Sequence, residues 1–229
     1  MNKTVFEAVS IYKSFDKRQI LKNISFSLHE SEVMAIVGKS GCGKTTLLRI
    51  LANLEIPDSG EVLFNKQTQK NPTPDIIFIQ QDYNQLLPWK NVINNVAYPA
   101  IATRKHSKTV ATKHAKELLE KMDLAEFASF FPRELSGGMK QRVAIARALI
   151  MEPKILLLDE PFGAVDRESR EKAYDIIKKL CREYGTAVLL ITHNLQEAKT
   201  VAKRIIHFEE KGVRIITNKE LTELIGDDT

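Results

Sequence analysis

The chain has 229 residues and a mass of 26.0 kDa, which is enough for one large domain with a core of its own. Its 43% hydrophobic and 28% charged residues are typical of a globular protein and exclude collagen-like, disordered and coiled-coil chains. No stretch reaches the roughly 18 uncharged apolar residues of a membrane span. The formal net charge of +5 is compatible with nucleic acid, an anionic membrane surface or a phosphate ligand, and does not choose among them.

The first third of the chain predicts mainly β-strands. Residues 6–11 and 20–28 alternate apolar and polar side chains, as half-buried antiparallel strands do. Residues 32–37 form a continuous apolar run, which indicates a strand buried on both faces. A glycine-rich loop and a predicted helix at 44–54 follow it, and two further strands are predicted at 61–65 and 76–79.

The rest of the chain predicts buried strands that alternate with helices. Helices are predicted within 91–124 (with a basic link at 102–108), at 136–149 and 167–184, and from the N-cap Asn194 to about Ala202. Strands are predicted at 154–158, 187–191, 204–208 and 213–217. This alternation favours an α/β fold with a mostly parallel core sheet, to which the early strands add an antiparallel β subdomain. We expect a single domain over 1–229, with residues 85–133 as an inserted helical subdomain.

Nine consecutive residues fit the P-loop pattern of two glycines five positions apart followed by Lys and Ser/Thr: Gly38, Lys39, Ser40, Gly41, Cys42, Gly43, Lys44, Thr45 and Thr46. Such a loop turns several backbone N–H groups towards one phosphate chain, and the following helix adds its own free N–H groups. Lys44 is predicted to contact the β- and γ-phosphates, and the Thr45 hydroxyl to coordinate Mg²⁺. The pattern lies between an apolar strand and a helix, which is where this chemistry requires it.

A pair of carboxylates ends the next buried strand. Asp159 at the end of an apolar run suits a direct or water-bridged contact to Mg²⁺, and the adjacent Glu160 suits the polarisation of an attacking water. Alone, a strand followed by Asp-Glu also fits an ordinary loop start. Together with the P-loop it favours a nucleotide-hydrolysing site.

A second anion-binding helix start is predicted at Ser136, Gly137 and Gly138, within the sequence Leu-Ser-Gly-Gly-Met-Lys-Gln-Arg. With the P-loop and Asp159, this signature resembles the ATP-binding-cassette (ABC) ATPases over nearly the whole chain. The resemblance implies the P-loop ABC ATPase fold. It also implies a head-to-tail dimer of two copies, in which the signature of one copy contacts the γ-phosphate of ATP held by the other.

The resemblance also implies roles for residues outside these motifs. Phe15 is similar to the aromatic residue that stacks on adenine, although Tyr12 is an alternative and either residue could belong to the core. Gln81 is similar to the glutamine that senses Mg²⁺ and the attacking water, with Gln80 as the alternative register. Asp166 resembles the aspartate of the D-loop, and His193 the switch histidine that contacts the γ-phosphate.

Two functions remain open for an ATPase of this kind. It is expected to energise a membrane transporter, with ATP and Mg²⁺ as ligands, or alternatively to act as a soluble ATPase on nucleic acid, ribosomes or cofactor assembly. Residues 86–92, which contain Pro88 and Trp89, provide either a groove wall for a partner helix or an ordinary buried tryptophan. This segment and residues 160–166 resemble the importers of nitrate, sulfonates and taurine.

The transporter expectation is the one we adopt, and it implies several partners. These are integral-membrane permease subunits, an extracytoplasmic solute-binding protein and a second copy of the chain, with no nucleic acid. The expected location is the cytoplasmic face of the cell membrane, through contact with the permease.

Overall fold

The computed structural model describes residues 3–16, 18–80, 85–163, 165, 167–209, 212–217 and 220. The strands found within these residues are β1 (Thr4–Phe15), β2 (Arg18–His29), β3 (Val33–Val37), β4 (Ser59–Phe64), β5 (Gln67–Thr68), β6 (Ile76–Ile79), β7 (Ile155–Asp159), β8 (Ala187–Ile191), β9 (Arg204–Glu209) and β10 (Gly212–Thr217). The α-helices found there are α1 (Lys44–Leu51), α2 (Val92–Ala102), α3 (Lys108–Lys121), α4 (Gly137–Leu149), α5 (Arg167–Tyr184) and α6 (Leu195–Val201).

The strands form two sheets within the described residues. One is antiparallel, in the order β2-β1-β4-β5, and the other follows the order β10-β9-β3-β8-β7-β6. In the second sheet every neighbouring pair from β9 to β6 is parallel, and only the β9–β10 pair is antiparallel. The α/β fold with a mostly parallel core sheet and a separate antiparallel sheet is therefore confirmed.

Successive side chains of the central strands enter two different hydrophobic cores. On β3, Ala35 and Val37 face the core shared with α2 to α5, whereas Met34 and Ile36 face the core shared with α1, β1 and β2. The strands β7 and β8 divide their residues in the same way. This two-residue alternation with apolar side chains on both faces explains why these strands are continuous apolar runs in the sequence.

The helices α2 and α3, with two short 3₁₀ turns at Ala125–Phe127 and Pro132–Glu134, lie between β6 and α4. They pack against each other and against α4, so their apolar residues join the core beneath the sheet. The division at 85–133 into an inserted subdomain stays a prediction. No α-helix within the described residues is long and apolar enough to cross a membrane.

The helix α1 ends three residues earlier than the sequence pattern predicts. Its last turn closes when Leu54 N–H donates to Arg49 O at 2.8 Å and Asn53 N–H donates to Ile50 O at 2.9 Å. Asn53 takes the left-handed conformation (φ 55°) that this closing motif requires. The polar strand β5 has two residues and no apolar pattern, so the sequence did not predict it.

Candidate nucleotide site

The P-loop connects the end of β3 at Val37 to the start of α1 at Lys44. Two of its glycines adopt backbone conformations that other residues rarely adopt, and both lie against neighbouring atoms. A Cβ on Gly38 (φ 154°) would be 2.7 Å from Phe208 Cβ, and a Cβ on Gly43 (φ 103°) would be 2.6 Å from Ile20 Cγ2. The loop therefore needs glycine at these positions to keep its path.

The Lys44 side chain folds back into the loop that precedes it. Its Nζ donates to the carbonyl oxygens of Gly38 and Lys39, both at 2.8 Å, and the residue is 7% exposed. A fixed positive charge is thus held beneath the loop, at the place where the sequence predicts the β- and γ-phosphates. This position for a buried lysine suits the attraction of an anion.

Thr45 and Asp159 meet although they are far apart in the sequence. Thr45 Oγ1 donates to Asp159 Oδ2 at 2.7 Å, because β3 and β7 flank β8 and end at the same edge of the sheet. Burial raises the pKa of the Asp159 carboxyl, while the bond from Thr45 and the charge of Lys44 act in the opposite direction. A hydroxyl and a carboxylate oxygen so placed fit Mg²⁺, which prefers oxygen ligands.

Glu160 and His193 also lie together, at the ends of β7 and β8. His193 Nδ1 is 3.4 Å from Glu160 Oε2, and the Glu160 N–H donates to Ile191 O at 3.2 Å. The side chain of His193 is 62% exposed, so this residue is not a core histidine. Glu160 has a φ of 44°, a left-handed conformation that turns the chain away from the strand just after Asp159.

A cavity of about 270 Å³ joins most of these groups. Its walls are formed by Phe15, Ile20, Ser40, Gly41, Gly43, Lys44, Thr45, Thr46, Asp159 and Glu160. Phe15 is 46% exposed, and Lys13 Nζ lies 5.1 Å from the centre of its ring. The partly exposed Phe15 ring lines the cavity beside the P-loop, a position that suits stacking on a planar base, whereas Tyr12 is not among the residues that line it.

The signature residues begin α4, as the sequence predicts, and do not line this cavity. Ser136 is the N-cap of α4, and its Oγ accepts from Met139 N–H at 3.3 Å. Ser136 and Gly137 are exposed, so the start of this helix is open to solvent. A Cβ on Gly138 would lie 3.2 Å from both methyl groups of Val165, which explains why glycine suits this contact.

Two of the predicted site residues, Gln81 and Asp166, lie outside the described residues, and their roles stay predictions. Cys42 is half-buried within the P-loop, and its Sγ lies 3.9 Å from Lys44 Nζ. The second cysteine, Cys181, is buried in the core.

A polar network beside His193 was not found by sequence reasoning. Glu197 on α6 accepts from Thr192 Oγ1 at 2.6 Å and from Tyr174 OH at 3.2 Å, and it forms an ion pair with Arg170. Arg170 also donates to the carbonyl of Val165. The network therefore connects the residue before His193 with the residue before Asp166. The sequence signal was Glu197 three positions after the N-cap Asn194, which indicates a helix start but not these tertiary partners.

The segment that contains Trp89 exposes Pro88 and Trp89, while Leu86 and Val92 at its two ends are buried. Trp89 is 71% exposed, which excludes the buried alternative. The fully buried Asn95 accepts from Leu87 N–H at 2.8 Å and donates to the carbonyls of Leu87, Lys90 and Asn91 at 3.1, 2.8 and 3.2 Å. Its amide thus fixes the backbone on both sides of Trp89.

The P-loop, the Thr45–Asp159 pair and the adjoining Glu160 on a mostly parallel sheet define an ATP-binding P-loop ATPase. The profile of the family described as ABC transporter matches residues 21–163, more than half of the chain. The chain belongs to the ABC transporter family.

Similar proteins include several sulfonate importers. The chain is 42% identical over 203 residues to "Aliphatic sulfonates import ATP-binding protein SsuB 1" of Shouchella clausii, covering 89% of this chain and 76% of the relative. It is 44% identical over 200 residues to "Aliphatic sulfonates import ATP-binding protein SsuB 2" of Pseudomonas aeruginosa, covering 87% and 70%.

Two solved structures share the fold. CbiO1 from Clostridium perfringens, described as part of the ABC transporter complex cbiONQ, superposes with a TM-score of 0.88 at 25% identity, covering 96% of this chain and 91% of that one. The ATP-binding cassette MJ0796, in a dimeric post-hydrolysis state with ADP and Pi, gives a TM-score of 0.80 at 33% identity, covering 93% and 98%. The predicted ABC ATPase fold is confirmed.

Proposed function

We propose that this chain is the ATP-hydrolysing subunit of an importer for sulfonates or similar small solutes such as nitrate and taurine. The observation that carries the proposal is the 42–44% identity to proteins named as sulfonate import subunits, over 87–89% of the chain in the two relatives above. The ATP site supplies the energy, and a permease with an extracytoplasmic solute-binding protein selects the solute.

In the proposed site, ATP lies in the cavity between Phe15 and the P-loop. Phe15 stacks on the adenine, the N–H groups of the loop hold the phosphates, and the Lys44 ammonium exchanges its two carbonyl partners for phosphate oxygens. Thr45 and Asp159, with Gln81, would hold Mg²⁺. When bound, Mg²⁺ neutralises charge on the β- and γ-phosphates.

In the proposed hydrolysis, Glu160 orients the attacking water and accepts its proton. The 3.4 Å contact with His193 supports this assignment, because it brings the carboxylate and a hydrogen-bonding imidazole to the same side of the site. His193 then contacts the γ-phosphate and holds Glu160 in place.

A second copy of the chain completes each site in this proposal. The start of α4 at Ser136 and Gly137 is exposed and lies outside the P-loop cavity, so its free N–H groups are available to an ATP on another copy. Asp166 would lie at the same interface. The closing and opening of this head-to-tail dimer drives the permease between its two states.

The test of the catalytic assignment is Glu160→Gln. This variant should bind ATP as tightly as the unmodified chain, hydrolyse it about 10²- to 10⁴-fold more slowly and accumulate as a closed dimer with ATP. Single-turnover hydrolysis and light scattering measure these effects. The matched control is Asp175→Asn, whose carboxylate is 71% exposed on α5. Hydrolysis at the normal rate in Glu160→Gln would exclude Glu160 as the base.

The proposed permease contact is the exposed part of residues 86–92, centred on Pro88 and Trp89. Trp89 projects from it with 71% of its surface exposed, and the half-exposed Tyr98 extends the apolar area beside Lys90, whose Nζ is 4.9 Å from the Tyr98 ring. An exposed tryptophan on a fixed backbone is a frequent anchor of a protein interface. Through this contact the chain would lie on the cytoplasmic face of the cell membrane.

Affinity purification from detergent-solubilised membranes tests this contact. The tagged chain should recover a polytopic permease with its solute-binding protein, and Trp89→Ala should lose them. The control is Ile56→Ala, which removes an apolar side chain that is 81% exposed in the turn before β4. Recovery of ribosomal or nucleic-acid-bound proteins alone would contradict the transporter and favour the soluble ATPase.

A further inference from the structure

Two histidines and a glutamate form a cluster at the junction between the helices α2 and α3 and the end of α4. His106 lies in the link between α2 and α3, His114 lies on α3, and Glu152 lies in the turn between α4 and β7. One ligand atom from each residue lies within 4.8 Å of the other two. Among the described residues, no other group of at least three His, Cys, Asp or Glu side chains meets this condition.

The cluster includes a buried ligand atom that has no hydrogen-bond partner in the described structure. His106 Nε2 is buried, has no hydrogen-bond partner within the described part of the chain, and lies 3.9 Å from Glu152 Oε1. The rings of His106 and His114 have their centres 6.2 Å apart, with an angle of 65° between their planes. A buried imidazole nitrogen without a partner is costly, and a metal ion would supply one.

The charges around the cluster show what competes with a metal. Glu152 Oε2 is 3.0 Å from Lys105 Nζ, which also donates to Met151 O at 2.5 Å. The other carboxylate oxygen is the one that faces His106, so Glu152 can bind a cation with one oxygen and keep Lys105 on the other. The positive charge of Lys105 nevertheless opposes the binding of a cation, so a variant without this charge tests the site.

We propose that His106, His114 and Glu152 form a binding site for a divalent transition metal of the Zn²⁺ type. Imidazole and carboxylate together suit Zn²⁺ and its neighbours, whereas Mg²⁺ prefers oxygen ligands alone. Zn–N and Zn–O bonds of about 2.1 Å place tetrahedral ligand atoms about 3.4 Å apart. The Glu152 side chain is 47% exposed and can close the remaining gap, and water completes the coordination.

Such a site would join the link between α2 and α3 to the turn that leads into β7. The link contains Arg104 and Lys105, and Lys105 contacts that turn through Met151 O and the Glu152 carboxylate. The His106 N–H instead donates to Ala100 O on α2 at 3.1 Å, so it does not attach the link to the turn. Bound metal would therefore restrain the motion of the α2–α3 pair relative to the central sheet.

Zn²⁺ and Co²⁺ titrations of the nucleotide-free chain test the proposal. We expect one Zn²⁺ per chain by calorimetry and, with Co²⁺, visible absorption of a four-coordinate site. His106→Ala, His114→Ala and Glu152→Gln should each weaken Zn²⁺ binding at least about tenfold. All three side chains are partly or largely exposed, so the variants should fold. Lys105→Gln should strengthen binding, because it removes the opposing charge.

Two control variants distinguish this site from His29 and His193. His29→Ala should bind Zn²⁺ unchanged, and His193→Ala tests whether the Glu160–His193 pair is the true ligand set. Loss of the strongest binding in His193→Ala, unchanged binding in His106→Ala and His114→Ala, or no Zn²⁺ binding at all would each overturn the proposal.

Limited trypsin digestion gives a readout of the structural effect. Zn²⁺ should slow cleavage after Arg104 and Lys105 in the unmodified chain and in His29→Ala, but not in His114→Ala. Equal protection of Arg104 and Lys105 from cleavage in His114→Ala would show that Zn²⁺ acts elsewhere, for example on the protease, and would contradict the proposed restraint by bound metal.

Discussion

Replacement of Glu197 by Gln should destabilise the protein far more than the same change at an exposed position. The Glu197 carboxylate takes part in bonds with Thr192, Tyr174 and Arg170, and a glutamine amide would turn an N–H₂ group towards one of these donors. Removal of one partner of a buried ion pair costs about 3–5 kcal/mol. The side chains of Arg170 and Glu197 are 18% and 13% exposed, which reduces the expected loss to about 2–3 kcal/mol.

Urea and thermal unfolding measure this loss. For a chain of this size, about 2–3 kcal/mol corresponds to a melting temperature lower by about 4–12 °C. The matched control is Asp175→Asn, which breaks an ion pair with Lys178 on α5 where the carboxylate is 71% exposed, and it should cost less than about 1 kcal/mol.

A double-mutant cycle with Arg170→Met then isolates the pair, and the coupling energy between the two positions should exceed about 1 kcal/mol. Equal losses in Glu197→Gln and Asp175→Asn, or additive effects in the cycle, would refute the reasoning.

Lys44→Ala should weaken ATP binding about 10- to 100-fold, because a hydrogen bond from a charged group contributes about 1.5–3 kcal/mol. Titration with a fluorescent ATP analogue measures the change in affinity, and the control is Arg49→Ala, which alters an exposed residue of α1. Affinity within twofold of the unmodified chain would contradict the phosphate site. Iodoacetamide should modify Cys42, and ATP should slow this reaction. Cys181 should stay unmodified, because it is 1% exposed and burial raises the pKa of its thiol to about 12. Peptide mass mapping of the native protein gives both rates, and labelling of Cys181 as fast as Cys42 would be inconsistent with this core.

The buried strands and the helices were predictable because their hydrophobic patterns leave few alternatives. The strands β3, β7 and β8 are apolar on both faces and lie within one residue of their predicted bounds, and α5 was predicted with its observed bounds. The meeting of Thr45 with Asp159 was also predictable, because Thr45 comes shortly after β3, Asp159 ends β7, and the carboxyl ends of these two strands share one sheet edge.

What the sequence did not predict depends on contacts between distant segments. Glu197 carries a helix-start pattern, but nothing in the pattern selects Arg170 or Tyr174 as its partner. The exposure of Trp89 could not be decided either, since one tryptophan beside leucines fits a core as well as a surface. In both cases the answer comes from the packing of α2, α5 and α6 on the rest of the fold.

The buried amide of Asn95 determines how a movement of Trp89 affects the helix α2. Since its four hydrogen bonds fix the backbone around Trp89 to α2, the segment loses little conformational freedom when a partner binds, and a cost of about 0.5–1.5 kcal/mol for each ordered side chain is largely avoided. In the proposed permease contact, a displacement of Trp89 is therefore transmitted to α2 as a movement of the whole helix. On a loop without these bonds the same tryptophan would move without moving α2, and ATP hydrolysis would lose its mechanical connection to the proposed permease.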